Sequence, residues 1–461
     1  MARSTIPEPT YGLILKLAWP AAIAASVTPL LAIVDVWALG RSDRPLDIAA
    51  VGLAATIFSL TYWTFGFIRM SVAGLTAQAA GADDFQEVRL GLIRALTLGG
   101  AIGLVMVLLQ TPLGAVAFHL LGLGSAATDM TFAEARQYFD IRIWGAPFAL
   151  ATYACFGWLT ARGRTDFLML TAIMMTLMNC VLNLYFVLSL KQGAAGIALG
   201  TLLAEVSGFF LSLALVWQVA RKDPAGGKGL LLPALFNGPA IIRMLGVNRD
   251  IFIRTLLLAF SFAWFVQRGS IFGDVTLAAN QVLLQLFLLS GLALDGTAIA
   301  AETLVGQTLG LRKKRVGGND VRARFMVIVR RSFALATLAA LAFMALYLLF
   351  GTELLRRLVP DENVFTEAVR YWGWVIISPL MVMVCFQLDG IFVGATHARD
   401  MRNSMILATG IFIPLSLWLP RMMGNHGLWL GFSIYFLARA VGLMIAMPAL
   451  IQRFRRLTPK N

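Results

Sequence analysis

Asp35 stands in LLAIVDVWALG, with apolar residues for more than two helical turns before it. A carboxylate at the centre of a bilayer costs about 2.5–3.5 kcal/mol on insertion scales, so such a group faces a cavity or a partner. A carboxyl taken out of water also holds its proton more tightly, which is the property a proton carrier near neutral pH requires. The competing reading sets Asp35 at the outer end of its helix, in headgroup water. Asn179 and Asn183 are four apart in TLMNCVLNLYF and therefore share one helix face. Thr201, in the next span, is placed to join them. Buried amides need partners, either in a polar cluster with Asp35 or in hydrogen bonds that hold helices together. Asp295 and Glu302, seven apart in LDGTAIAAETLVGQTLG, lie on one face about 10 Å apart along the axis. Asp389 sits in CFQLDGIFVGAT. Three acids in two apolar helices suggest a cation-attracting cavity wall. Arg254 and Arg439 as neutralising partners give the opposite reading, and Arg69 and Arg142 raise it in the first half.

Catalytic constellations are missing. GxSxG, HExxH, the Walker A pattern and CxxC pairs do not occur, and His119, His397 and His426 are scattered near the ends of expected spans. Cys155, Cys180 and Cys385 fall inside expected spans without metal-ligand spacing and read as packing residues. The expectation is a protein that is not an enzyme and carries no cofactor. Work by such a chain must draw on an ion gradient.

The elements that position these groups are membrane spans. Hydrophobic residues make up 59% of the 461 and charged ones 13%, with a mean hydropathy of +0.78; soluble domains run near 45–50% and 25%. Windows of about 20 apolar residues, the length of a span, recur twelve times, over roughly 11–39, 48–80, 90–121, 135–161, 167–190, 194–220, 241–269, 277–310, 325–351, 367–395, 403–423 and 427–452. The first is too long for a signal h-region, so no signal peptide is expected. The formal net charge of +14 crowds into alternate loops, around Arg162, Arg221, Arg312, Arg399 and Arg453. The positive-inside rule then puts both termini in the cytoplasm of a multi-pass inner-membrane protein. Basicity so distributed serves topology and lipid contact, and no nucleic-acid partner is expected.

Two halves repeat one pattern. At a single offset of 229, Gly40 matches Gly269, Ala49 and Ala50 match Ala278 and Ala279, Phe58 matches Phe287, Gln78 matches Gln307 and Gly81 matches Gly310. Long-period similarity marks a repeated unit and, in membranes, transporter folds. The expected organisation is an N-terminal six-helix lobe over 1–225, a cytoplasmic linker over 226–248 and a C-terminal six-helix lobe over 249–461. Six spans per half make the repeats parallel, enclosing a cavity that opens to either side by rocking.

At FGFIRMSVAGLTAQAAGA (65–82), LDGTAIAAETLVGQTLG (294–310), FQLDGIFVGATHARDMRNSM (386–405) and NHGLWLGF (425–432), the chain resembles the multidrug and toxic compound extrusion family, in its DNA-damage-inducible F branch. The resemblance covers nearly the whole chain. It implies an all-α membrane protein of twelve transmembrane helices in two six-helix bundles, related by pseudo-two-fold symmetry in a V with a central cavity. It also implies antiport of small organic, often cationic compounds against protons or sodium ions. The lipid bilayer is the expected partner and a monomer the expected state. Asp35 matches the family's first-helix aspartate in an N-lobe proton-coupling network, and Asn179, Asn183, Thr201 and Tyr138 match further network positions. Many relatives carry an aspartate where Asn183 stands, so a two-carboxylate network is incomplete here. Asp389 matches an acid of a C-lobe cation site in another branch, without that site's seventh-span glutamate. Proton coupling is the expected reading; sodium coupling, or a lipid-linked oligosaccharide flippase on the same scaffold, are the alternatives.

Overall fold

Apolar runs separated by short polar punctuation leave the backbone one way to satisfy its hydrogen bonds in a membrane, and the chain takes it. The computed structural model describes residues 7–39, 46–120, 129–223, 237–312 and 318–455. Among them run α1 (Tyr11–Leu39), α2 (Leu46–Phe65), α3 (Phe67–Gly81), α4 (Phe85–Leu108), α5 (Gln110–Leu120), α6 (Asp129–Arg142), α7 (Ala146–Ala161), α8 (Thr165–Leu184) and α9 (Gly193–Ala220). There follow α10 (Gly238–Gly269), α11 (Asp274–Leu311), α12 (Gly318–Leu358), α13 (Glu362–Gly394), α14 (Ala398–Met423) and α15 (Asn425–Arg455). Among the described residues ten segments are long and apolar enough to cross a membrane, α2 and α3 counting as one. With α5 running on from α4 across Leu109, the 29 residues of α1 and α6 joined to α7 by a 3-10 turn over Ile143–Gly145 bring the described helical segments to the expected twelve.

Interruptions inside spans have local causes. The α2–α3 break falls at Gly66, and Pro147 opens α7 beside the turn at Ile143–Gly145. By contrast, α1 continues through Pro20 and Pro29 without a break. At the start of α13, Asp361 accepts hydrogen bonds from the Asn363 and Val364 amides at 2.9 and 3.0 Å, a side-chain N-cap. Of the expected linker 226–248, residues 226–236 lie outside the described residues, and 238–248 belong to α10.

Packing divides the chain into two compact units. One comprises Ala24–Val72 and Phe85–Ile241. In it α4 packs on α7, α8 on α9, and α6 on both α2 and α9; the buried Trp158 indole donates to the Val88 carbonyl at 3.0 Å and ties α7 to α4.

The other unit comprises Met1–Ile23, Ala73–Asp84 and Ile242–Asn461. Its centre is α13, which packs on α11, α12 and α15. The contrast in burial is large: 67% of the apolar window of α13 is buried inside the protein against 17% for α12. Helix α12 therefore turns Leu348, Leu349 and Phe350 outward, as a lipid-facing helix does. Helices α11 and α13 approach closely through small residues, since a Cβ on Gly390 would strike the Ala298 carbonyl and one on Gly394 that of Glu302. An aromatic core of Phe265, Phe287, Trp429, Phe432 and Phe436 fills the space between α10, α11 and α15, with Phe265 4.6 Å from Phe432 between ring centroids. The N-terminal segment joins this unit because Arg324 donates to the Pro7 carbonyl, Arg331 donates to the Pro9 carbonyl at 2.8 Å, and Gly296 lets the Ala18 backbone approach α11.

Candidate functional site

The polar residues of α8 and α9 meet inside the unit formed by Ala24–Val72 and Phe85–Ile241. The Asn179 amide donates to Thr201 Oγ1 at 2.9 Å, and Asn183 Nδ2 donates to Asn179 Oδ1 at 2.8 Å. All three residues are buried. A side chain on Gly200 would collide with Asn183 Oδ1, so the glycine is what admits the amide to the α8–α9 contact.

One turn beyond Thr201 on α9 stands Glu205, on the same face. It is 6% exposed, and its Oε1 lies 3.6 Å from Nη2 of Arg142 at the end of α6. Arg142 donates from Nη1 to the Tyr138 hydroxyl at 2.7 Å and spreads over the Phe58 ring at 4.7 Å from its centroid. Glu205 Oε2 and the Tyr62 hydroxyl are buried with no hydrogen-bond partner among the described residues. Gly145 leaves the space that Oε2 occupies. Tyr138 is thus linked to Glu205 through Arg142. Sequence reasoning named Arg142 only as a neutralising partner and passed over Glu205. The available signal was Glu205's four-residue spacing from Thr201.

Asp35 lies on α1, and its side chain is outside the described residues.

The acids of the second half stand on two helices, α11 and α13. Asp389 Oδ2 accepts hydrogen bonds from Nη2 of both Arg254 and Arg439, the latter at 2.8 Å. Arg254, Asp389 and Arg439 are all buried, on α10, α13 and α15. Two guanidinium groups on one carboxylate leave a local surplus of one positive charge, so Asp389 offers no isolated negative charge to a cation. This is the neutralised arrangement the sequence held open. Glu302 is buried on α11, where Gly394 of α13 meets its backbone, and Asp295 is half-buried one face-repeat earlier. Among the described residues no cluster of three or more His, Cys, Asp or Glu is placed to hold a metal ion.

The profile of the MatE family matches residues 20–185 and again 251–418, once in each half. DNA damage-inducible protein F of Escherichia coli (strain K12) is 33% identical over 427 residues, covering 93% of this chain and 90% of that protein. A probable multidrug resistance protein NorM of Bradyrhizobium diazoefficiens is 24% identical over 461 residues, covering 96% and 92%. Among solved structures, the outward-facing conformation of a multidrug resistance MATE transporter of the MOP superfamily superposes with a TM-score of 0.85 at 18% identity, over 98% of this chain and 97% of that one. A MATE protein in the bent conformation gives 0.82 at 18%, over 97% and 96%.

Proposed function

Because this chain belongs to the MatE family of multidrug and toxic compound extrusion proteins, we propose that it is a secondary active antiporter that exports small organic compounds, cationic and amphipathic ones foremost, in exchange for protons. It works by alternating access as a monomer in the inner membrane, with both termini in the cytoplasm. The N-terminal lobe, 1–225, carries the coupling chemistry.

The observation that carries this reading is the buried polar column of α6, α8 and α9. Asn183, Asn179 and Thr201 form a hydrogen-bonded chain, and one turn further along α9 Glu205 meets Arg142 and Tyr138 of α6. Asp35 is the proton acceptor of this network and Glu205 its second carboxylate, standing in for the acid that Asn183 lacks. Glu205 Oε1 stands 3.6 Å from its arginine, and Oε2 has no hydrogen-bond partner among the described residues. Asp295 and Glu302 supply negative charge toward a cationic substrate. Sodium coupling loses support from the two arginines on Asp389, which would repel the ion from that acid.

The energetics constrain the stoichiometry. One proton descending 100 mV releases about 2.3 kcal/mol and one pH unit about 1.4. Exchange for a neutral substrate then sustains a gradient of a few hundredfold. A monovalent cation exchanged one for one moves no net charge, and only the pH term, about tenfold, remains.

The test is efflux of a fluorescent cationic dye from proteoliposomes under an imposed proton gradient, and separately under a sodium gradient. The proton gradient is expected to drive export and Asp35→Asn to abolish it. Glu205→Gln is expected to move the pH midpoint of transport, whereas a merely structural partner of Arg142 would lower stability and leave the midpoint in place. Export driven by sodium alone overturns the proposal.

A further inference from the structure

The surplus charge around Asp389 has a chemical consequence of its own. Four helices of one unit converge there: α10 brings Arg254, α13 brings Cys385 and Asp389, α14 brings Met405, and α15 brings Tyr435 and Arg439. Arg439 is 1% exposed and Arg254 6%. Both spend Nη2 on the same carboxylate oxygen, yet Arg254 Nε and Arg439 Nη1 are buried donors without an acceptor among the described residues. The Tyr435 and Phe436 rings, 5.6 and 5.3 Å from the Arg439 guanidinium, offset part of its charge. They do not supply an acceptor. A guanidinium removed from water is costly unless paired and hydrogen-bonded, and one carboxylate cannot neutralise two. A second anion has the lone pairs that the idle N–H groups require.

We propose that Arg254 and Arg439 form an anion site in the C-terminal unit that takes one small monovalent anion or carboxylate group, with Asp389 as its internal competitor. Chloride from the medium and the carboxylate of a transported organic acid share the required chemistry. In either case the site opposes cation binding at Asp389, and it stands whether or not protons drive transport.

The decisive measurement is thermal unfolding of the purified full-length protein in detergent, at constant ionic strength, with sodium isethionate replaced stepwise by sodium chloride or sodium acetate. Fixed ionic strength removes general screening. Saturable stabilisation by the small anions is expected. Asp389→Asn, which removes the competitor, is expected to tighten the apparent affinity by about tenfold, while Arg439→Gln removes the anion dependence. Efflux of carboxyfluorescein separates the sources: loss of that efflux in Arg439→Gln identifies a substrate carboxylate, and chloride stabilisation without carboxyfluorescein transport identifies the medium ion. Because Arg439→Gln can fail to fold, the gain in Asp389→Asn is the stronger reading. Unfolding temperatures indifferent to anion identity, or anion binding weakened by Asp389→Asn, overturn the proposal.

Discussion

Asn179 is the node of its cluster, accepting from Asn183 and donating to Thr201. Thr201→Val keeps shape and removes one bond, for an expected loss of about 1 kcal/mol. Asn179→Leu removes both bonds from a buried site and is expected to cost about 2–4 kcal/mol, because a buried group that loses its bond costs more than the bond is worth. The double variant should cost less than the sum, since Thr201 has no remaining partner there to lose. Denaturant unfolding in detergent measures all three, and equal costs for the two single variants would show that Asn179 is not the node. Helical spacing alone made Asn179 and Asn183 legible as one face, because an i, i+4 relation is local. The Asp389 trio was legible only as an alternative, because it draws from three helices and nothing along the chain ranks which buried arginine reaches which acid. Glu205 was missed for a related reason: one acid among small and apolar residues of α9 gains meaning only when Arg142 arrives from α6.

Elements in this protein are joined by turns that the spans constrain tightly. The link from α13 to α14 is only Ala395–His397, with Thr396 in the left-handed region at φ 55°, a costly place for a β-branched residue. Gln78 holds it there by donating to the Gly394 carbonyl and Thr396 Oγ1, both at 3.1 Å, while accepting from Arg243 at 3.0 Å. In the same turn, burial pushes the His397 imidazole below its ordinary value, and Arg453 acts in the same direction; the Asp400 carboxylate, 2.7 Å from Nδ1, opposes both. A base depressed in the folded state contributes stability that is complete above its unfolded value near 6.5 and is lost as pH falls through that value. Wild-type protein is therefore expected to lose unfolding temperature between pH 7 and pH 5, with a slope of at most about 1.4 kcal/mol per pH unit from this group. His397→Gln flattens that slope, and an unchanged slope in the variant would assign the acid sensitivity elsewhere. The spans themselves were legible from hydropathy. The break at Gly66 and the turn at Ile143–Gly145 were not, because hydropathy registers apolar length and is blind to a change of helical direction within it.

At the scale of the molecule, the repeat read from the sequence becomes a contact. Gly81 and Gly310 occupy matching positions, as do Gln78 and Gln307, and the pairing is reciprocal: a Cβ on Gly81 would strike the Gln307 carbonyl, and one on Gly310 the Gln78 carbonyl. Residue i meets j and the counterpart of j meets the counterpart of i, the signature of a local two-fold. The close approach needs a glycine on each side, while Asp389 has no counterpart acid in the first half and takes partners of its own, Arg254 and Arg439. Reciprocity makes a quantitative demand on this crossing. Gly81→Ala and Gly310→Ala each force backbone apart and are expected to cost a similar amount, about 1–3 kcal/mol. Either substitution already separates the two segments, so the double variant is expected to cost clearly less than the sum. Gly100→Ala, where a Cβ meets nothing within 4 Å, is the control and should be neutral or slightly stabilising, because alanine is the better helix former. Thermal unfolding of the four proteins in one detergent decides the matter. Strict additivity, or a cost confined to one of the two glycines, would mean that the segments bend independently and that the crossing is not a shared two-fold contact.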